Sequence, residues 1–226
     1  MDKIEMPVKM AIDKLNTIIP CTLDESKLDT YKEISMSGIA TEEQISQLKT
    51  LWNIDVNQMI INAATNELIM HIVKTYITDI KAFGEQTRSE HNYVLTESLT
   101  YNIDNALCIL GSLHKDDTES PVIFMTTNKC KELYDNPDFI KSNNNGGYLM
   151  FYGKYKNAEV YEINMFTDND DDFAIVCYNK DYVLHYYNDS LYRTSEQLEN
   201  GDIKHIVIFN GTFINEQTAQ NYLTIK

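Results

Sequence analysis

Apolar positions divide this chain into a helical first half and a strand-like second half. The longest helical rhythm runs from Asp55 to Gly84, where Val56, Met59, Ile60, Ala63, Ala64, Leu68, Val73, Tyr76, Ile77 and Ile80 recur at the spacing of one buried face. Ile61, Ile69, Met70 and Ile72 fall off that face, which predicts a helix covered on more than one side. Asp55 or Asn57 caps its start and Gly84 marks its end, giving a spine of about 45 Å at 1.5 Å per residue. Before it, Thr41-Glu-Glu-Gln44 is a capping box opening a short helix that turns Ile45, Leu48, Leu51 and Trp52 inward. After it, Glu85 to Asn92 reads as an exposed turn, and Thr96 to Leu113 as a second long helix with Leu99, Ile103, Ala106, Leu107, Leu110 and Leu113 on one face. Met1 to Asn16 reads as a short helix or arm with Pro7 in its first turn, stopped by Pro20. Thr22 to Ala40 reads as an extended connection with room for a hairpin around Met36 to Ile39.

Beyond Pro121 the period changes. Val122-Ile-Phe-Met125 is an unbroken apolar run of the kind a buried strand carries. Thr127 or Asn128 then caps a short helix, Lys129 to Tyr134, ended by Pro137, and residues 141–147 form a loop by composition. Further strands are expected at Tyr148 to Tyr152, Ala158 to Asn164, Phe173 to Tyr178, Tyr182 to Tyr187 and Ile203 to Phe209. A turn is expected at Asn210-Gly211, and a last segment at Tyr222 to Ile225. Helices first and strands afterwards predict an α+β fold rather than the βαβ alternation of a doubly wound sheet.

Charge narrows the partners. The 226 residues are 43% hydrophobic, enough for a sizeable core, yet the formal net charge is −15. A dedicated nucleic-acid binder presents a basic face, so grip on DNA or RNA is not expected. No signal peptide is visible, and no stretch approaches the ~18 consecutive apolar residues of a membrane span. Cys21, Cys108, Cys130 and Cys177 are scattered without a CxxC pair and read as free thiols.

The search for chemistry assigns no catalytic, cofactor-binding or metal-binding residue. Gly146-Gly147 is followed by neither GKS nor GKT, and Gly111-Ser112 is not a nucleophile elbow. Asp168, Asp170 and Asp172 match the first alternating ligands of a calcium loop, but Phe173 stands where glycine is needed and Asn179 where a bidentate glutamate is needed. His71, His91, His114, His185 and His205 show neither HxH nor HExxH spacing. Of the 15 tyrosines, nine cluster in the strand half from Tyr148 to Tyr192, where a ring with a polar tip suits half-buried sheets and subunit contacts.

Three stretches together resemble the Hong Kong 97-type major capsid protein of tailed phages and related viruses. NELIMHIVKTYITDI is similar to that family's long helix, particularly in the contractile-tailed branch. SPVIFMTTNKCKELYDNPDF, Ser120 to Phe139, is similar to the strand, turn and short helix of its axial domain. GKYKNAEVYEINMFTDNDDDFAIVCYNKDYVLHYY, Gly153 to Tyr187, is similar to its glycine turn and following strands, and IKHIVIFNGTFI to its last peripheral strand. The resemblance implies an arm and short-helical segment over 1–54 and the spine over 55–84. It also implies an axial-type α+β domain over 85–180, then peripheral-type strands and tail over 181–226. Thr22 to Ala40 is the only room for the long hairpin with which such subunits reach a neighbour.

The implied function is structural: a non-enzymatic subunit, without cofactor, that assembles with copies of itself into an icosahedral shell. Its partners would be those copies in pentamers and hexamers and other virion proteins, around DNA that is enclosed but not specifically bound. It would reside in the virion after assembly in the host cytoplasm, away from membranes. An encapsulin-like compartment is the related alternative. Two others lie in different classes: a small cytoplasmic enzyme using His185, His205 and the Asp168 to Asp172 turn, and an interaction module using the tyrosine-rich sheet.

Overall fold

The computed structural model describes residues 22–28, 31–113, 120–142, 149–166, 172–178, 191–211 and 221–226. Expectations for Met1 to Asn16, Pro20, Gly146-Gly147 and Tyr182 to Tyr187 lie outside them. The described residues form two compact units. One draws on Met1–Ile72 and Tyr187–Phe213, the other on Val73–Tyr186 and Ile214–Lys226.

The first unit is built on a four-stranded antiparallel sheet with strand order β1-β2-β9-β8, formed by β1 (Thr22–Leu28), β2 (Tyr31–Ala40), β8 (Leu191–Gln197) and β9 (Ile203–Gly211). The hairpin expected within Thr22 to Ala40 is present, but its closing pair is Leu28 with Tyr31 rather than a pair around Met36 to Ile39. Met36 to Ile39 lie inside β2 because β9 pairs with that stretch, Met36 opposite Val207 and Ala40 opposite Ile203. Asn210 and Gly211 likewise continue β9 opposite Glu33 and Lys32, where the sequence suggests a turn. Alternation sets the faces: Met36, Ala40, Val207 and Phe209 are buried, Ile39 exposed. Helix α1 (Glu42–Trp52) starts at the expected capping box: the Gln44 amide donates to Thr41 Oγ1 (3.2 Å), and the Thr41 amide donates to Gln44 Oε1 (3.1 Å). Asn53 ends it in the left-handed region (φ 52°), which an asparagine side chain tolerates.

Helix α2 (Val56–Glu90) is the expected spine, opened by Asp55, whose Oδ1 accepts from the Gln58 amide (3.2 Å). Val56, Ile60, Ala64, Leu68, Ile72, Val73, Tyr76, Ile77 and Ile80 are buried, so the 3.6-residue stripe is real and Ile72 belongs to it. Its end differs from expectation. The helix passes through Gly84 to Glu90, taking in most of the stretch read as a turn. Gly84 is a contact point: a Cβ there would lie 2.7 Å from the Thr224 backbone nitrogen. Only glycine lets the last strand approach this closely.

That strand, β10 (Tyr222–Ile225), belongs to the six-stranded sheet of the second unit, ordered β10-β7-β3-β6-β5-β4. The others are β3 (Val122–Thr126), β4 (Phe139–Lys141), β5 (Leu149–Tyr155), β6 (Ala158–Ile163) and β7 (Ala174–Cys177). Only β3 and β6 run parallel; the remaining pairs are antiparallel. All five residues of β3 are buried, as its unbroken apolar run requires. One sheet face packs on α3 (Leu99–Leu113) and α4 (Thr127–Leu133): Ile103, Ala106, Leu110, Cys130 and Leu133 meet Ile123, Met125, Val160, Val176 and Leu223. On the other side Thr224 Oγ1 donates to the Lys81 carbonyl (2.8 Å), tying β10 to the second half of α2. Gly153 is not at a turn as the resemblance implies. It sits in β5 at a register shift after Phe151, and the chain reverses at Lys156, held at φ 53°.

The stretch 191–211 pairs with 22–40, and the tail joins the sheet of the second unit, because backbone pairing follows register rather than chain order.

Candidate assembly surfaces

Of the residues that the sequence offers for chemistry, His205 and Asp172 are engaged in the fold, whereas His91 and Cys108 are exposed. His205 is buried in β9 opposite Ser195 of edge strand β8. Its Nδ1 lies 2.8 Å from Ser195 Oγ, and its Nε2 lies 3.0 Å from Asn57 Oδ1 in the first turn of α2. Asn57 Oδ1 can only accept, which assigns the proton to Nε2 and makes Nδ1 the acceptor for the Ser195 hydroxyl. Burial lowers the imidazole pKa, with Asp55 pulling the other way. The arrangement clips β8, β9 and the start of α2 together. His185 and Asp168 to Asp171 lie outside the described residues. Asp172 accepts from Thr126 Oγ1 (3.0 Å) and Asn128 Nδ2 (3.2 Å), fastening the approach to β7 onto the β3–α4 corner.

The remaining groups follow the same pattern. The Cys130 thiol is buried and its pKa is pushed far up by burial and by nearby Glu162, which makes it an inert core group. Tyr161 donates to Glu159 Oε2 (3.0 Å) and its pKa is pushed up to about 12 by burial and that carboxylate. No group of three or more metal-ligating side chains occurs among the described residues. A recess between α1 and the start of α2, lined by Ile45, Lys49, Ile54 and Asn57 among others, holds about 180 Å³, small beside the roughly 300–1,000 Å³ of ligand pockets. No helix among the described residues is long and apolar enough to cross a membrane.

Exposed apolar side chains and sheet ends are what the protein offers instead. In the first unit α1 has no buried residue: Ile45 and Leu48 touch the small cluster Ala40, Val56 and Ile60, while Leu51 is 69% exposed and Trp52 is exposed beside it. Leu51 and Trp52, expected to point inward, therefore do not. Edge strand β8 is exposed from Tyr192 to Gln197. Its polar sequence, LYRTSEQ, gives no strand signal, so it becomes a strand only through its pairing with β9. In the second unit Val94, Tyr101, Tyr134 and Ile140 are exposed, the last on β4 at the end of the sheet. β4, three residues long, also has no signature in the sequence.

The fold has solved counterparts. Seven chains of known structure match it. A chain from a structure described as Mycobacterium phage Che8 aligns with a TM-score of 0.51 at 10% identity, over 92% of this chain and 83% of that one. A chain from the crystal structure of a virus-like particle from Pyrococcus furiosus aligns with a TM-score of 0.48 at 10% identity, over 92% and 86%. No family model matches the sequence, and no curated protein matches it. The likeness to the phage chain is one of fold, a mixed helix-and-sheet arrangement embracing nearly all of the present chain.

Proposed function

We propose that this protein is a structural subunit that self-assembles into an icosahedral phage capsid of the Hong Kong 97 type, enclosing DNA. The observation that carries the reading is the fold likeness to a phage chain over 92% of the present sequence, beside the ordered elements that resemble the Hong Kong 97-type family in sequence. The surface is consistent with it. Apolar side chains are spread singly over exposed elements of both units, as suits a subunit that makes many modest contacts around symmetry axes. The net charge of −15 favours enclosing DNA without holding it. In this reading the second unit plays the axial part and the first the peripheral part, and assembly takes place in the host cytoplasm before the subunit enters the virion. No catalytic step is required of it.

Negative-stain microscopy of the purified protein tests the proposal. Rings, curved sheets or closed particles are expected as concentration rises. A protein that stays monomeric across concentration, salt and crowding agents overturns it.

A further inference from the structure

Ser195, His205 and Asn57 fasten the first unit together, but their bonding order is also that of a nucleophile, a base and the group that orients the base. Ser195 is exposed on edge strand β8, while His205, its cross-strand neighbour in β9, is buried. The Ser195 hydroxyl donates to His205 Nδ1 (2.8 Å), and His205 Nε2–H donates to Asn57 Oδ1 (3.0 Å). Asn57 thus fixes the tautomer whose Nδ1 lone pair faces the serine. Burial lowers the imidazole pKa, so the ring is neutral and able to take a proton at pH 7. Asp55, at the head of α2, favours the imidazolium that such a transfer creates. The other charged groups on the surrounding elements are Lys49 of α1, which lines a recess with Asp55 and Asn57, and Arg193 of β8. Lys204 and Glu196 pair with each other on the opposite face of the sheet. Strand alternation puts Arg193 and Gln197, both exposed, on the face of Ser195. Their N–H groups can meet a carbonyl oxygen there as it turns negative.

We infer that Ser195 is a reactive nucleophile that accepts acyl groups from activated carboxylic esters, with His205 as its general base and Asn57 as the residue that positions that base. The inference goes beyond the shell reading and does not rest on it. Ser195 Oγ attacks the ester carbonyl carbon as its proton passes to His205 Nδ1. The tetrahedral adduct collapses, the bond from carbon to the leaving oxygen breaks, and that oxygen takes the proton back from Nδ1. Ser195 is left as an O-acyl ester and the imidazole is neutral again. Other exposed serines lack this company. The Ser98 hydroxyl meets Thr100 Oγ1 and the Ser112 hydroxyl donates to the Ile109 carbonyl, neither of which takes up a proton at neutral pH.

Acetylation of the full chain by p-nitrophenyl acetate tests this, with peptide mass spectrometry locating the acetyl group. Ser195 should react roughly a hundredfold faster than Ser98 or Ser112, the lower end of what a positioned base supplies. Its rate should fall on acidification with a midpoint below 6.5, the ordinary histidine value. His205→Gln should bring Ser195 down to the rate of the other two serines. Asn57→Asp keeps an acceptor for Nε2–H and adds a negative charge, so Ser195 should stay reactive and the midpoint should move up. A hydroxyl that only fastens β8 to β9 would show none of these effects. Ser195 reacting no faster than Ser98 and Ser112 in the unaltered chain overturns the inference and leaves the shell reading standing. A wild-type rate in His205→Gln, or an unmoved midpoint in Asn57→Asp, overturns it equally.

Discussion

Single residues carry much of what makes this fold specific. Gly84 fits the ordinary pattern of a helix end, yet it lies inside α2, where β10 crosses too closely for any side chain. Gly84→Ala would gain helix propensity but force a Cβ towards the Thr224 backbone. We expect a net loss of about 1–3 kcal/mol, as for other overpacked sites, read as a lower urea midpoint at unchanged slope. His205 makes a prediction in pH. Burial holds its folded-state pKa below the ordinary 6.5, so on acidification the unfolded chain binds the proton first. The stability this histidine contributes is complete above pH 6.5 and is lost as the pH falls from there through the folded-state value. Urea midpoints of wild type and His205→Gln compared at about pH 7.5 and about pH 5 should show the wild type losing more on acidification. An equal loss in both would remove His205 from the pH response.

At the scale of elements, local signals were strongest where local chemistry decides. The capping box at Thr41 and Gln44, the Asp55 cap and the apolar stripe of α2 can be read directly because each involves residues three or four apart. Strands β3, β6, β7 and β10 announce themselves by buried β-branched and aromatic runs. Strands β1, β4 and β8 do not: TLDESKL and LYRTSEQ are polar and become strands only through their pairing with β2 and β9, and β4 is three residues long. Helix α1 depends on its cap more than most helices, because it buries no residue. Thr41→Ala should cost about 1 kcal/mol. The effect should be local: hydrogen exchange ought to quicken across Glu42–Trp52 and stay unchanged in β3 and β7.

Across the whole molecule, stability is expected to be uneven. The fully buried strands β3, β7 and β10 should exchange their amides slowest among the described residues. Exposed β8 and thinly packed α1 should exchange first, as lightly packed elements do. Native-state exchange showing β8 as slow as β3 would contradict that ranking. The order of texture along the chain, with its acidity and lack of motifs, was enough to set the fold class and direct attention to assembly rather than catalysis. Those properties are local or additive, so the sequence alone determined them. Pairing of the 22–40 hairpin with 191–211, the union of the tail with β7, the need for glycine at position 84, the His205 clip and the exposure of Leu51, Trp52 and Ile140 were decided only by the tertiary structure. Each depends on which distant segment arrives at a given face, and no periodicity or spacing along the chain encodes that.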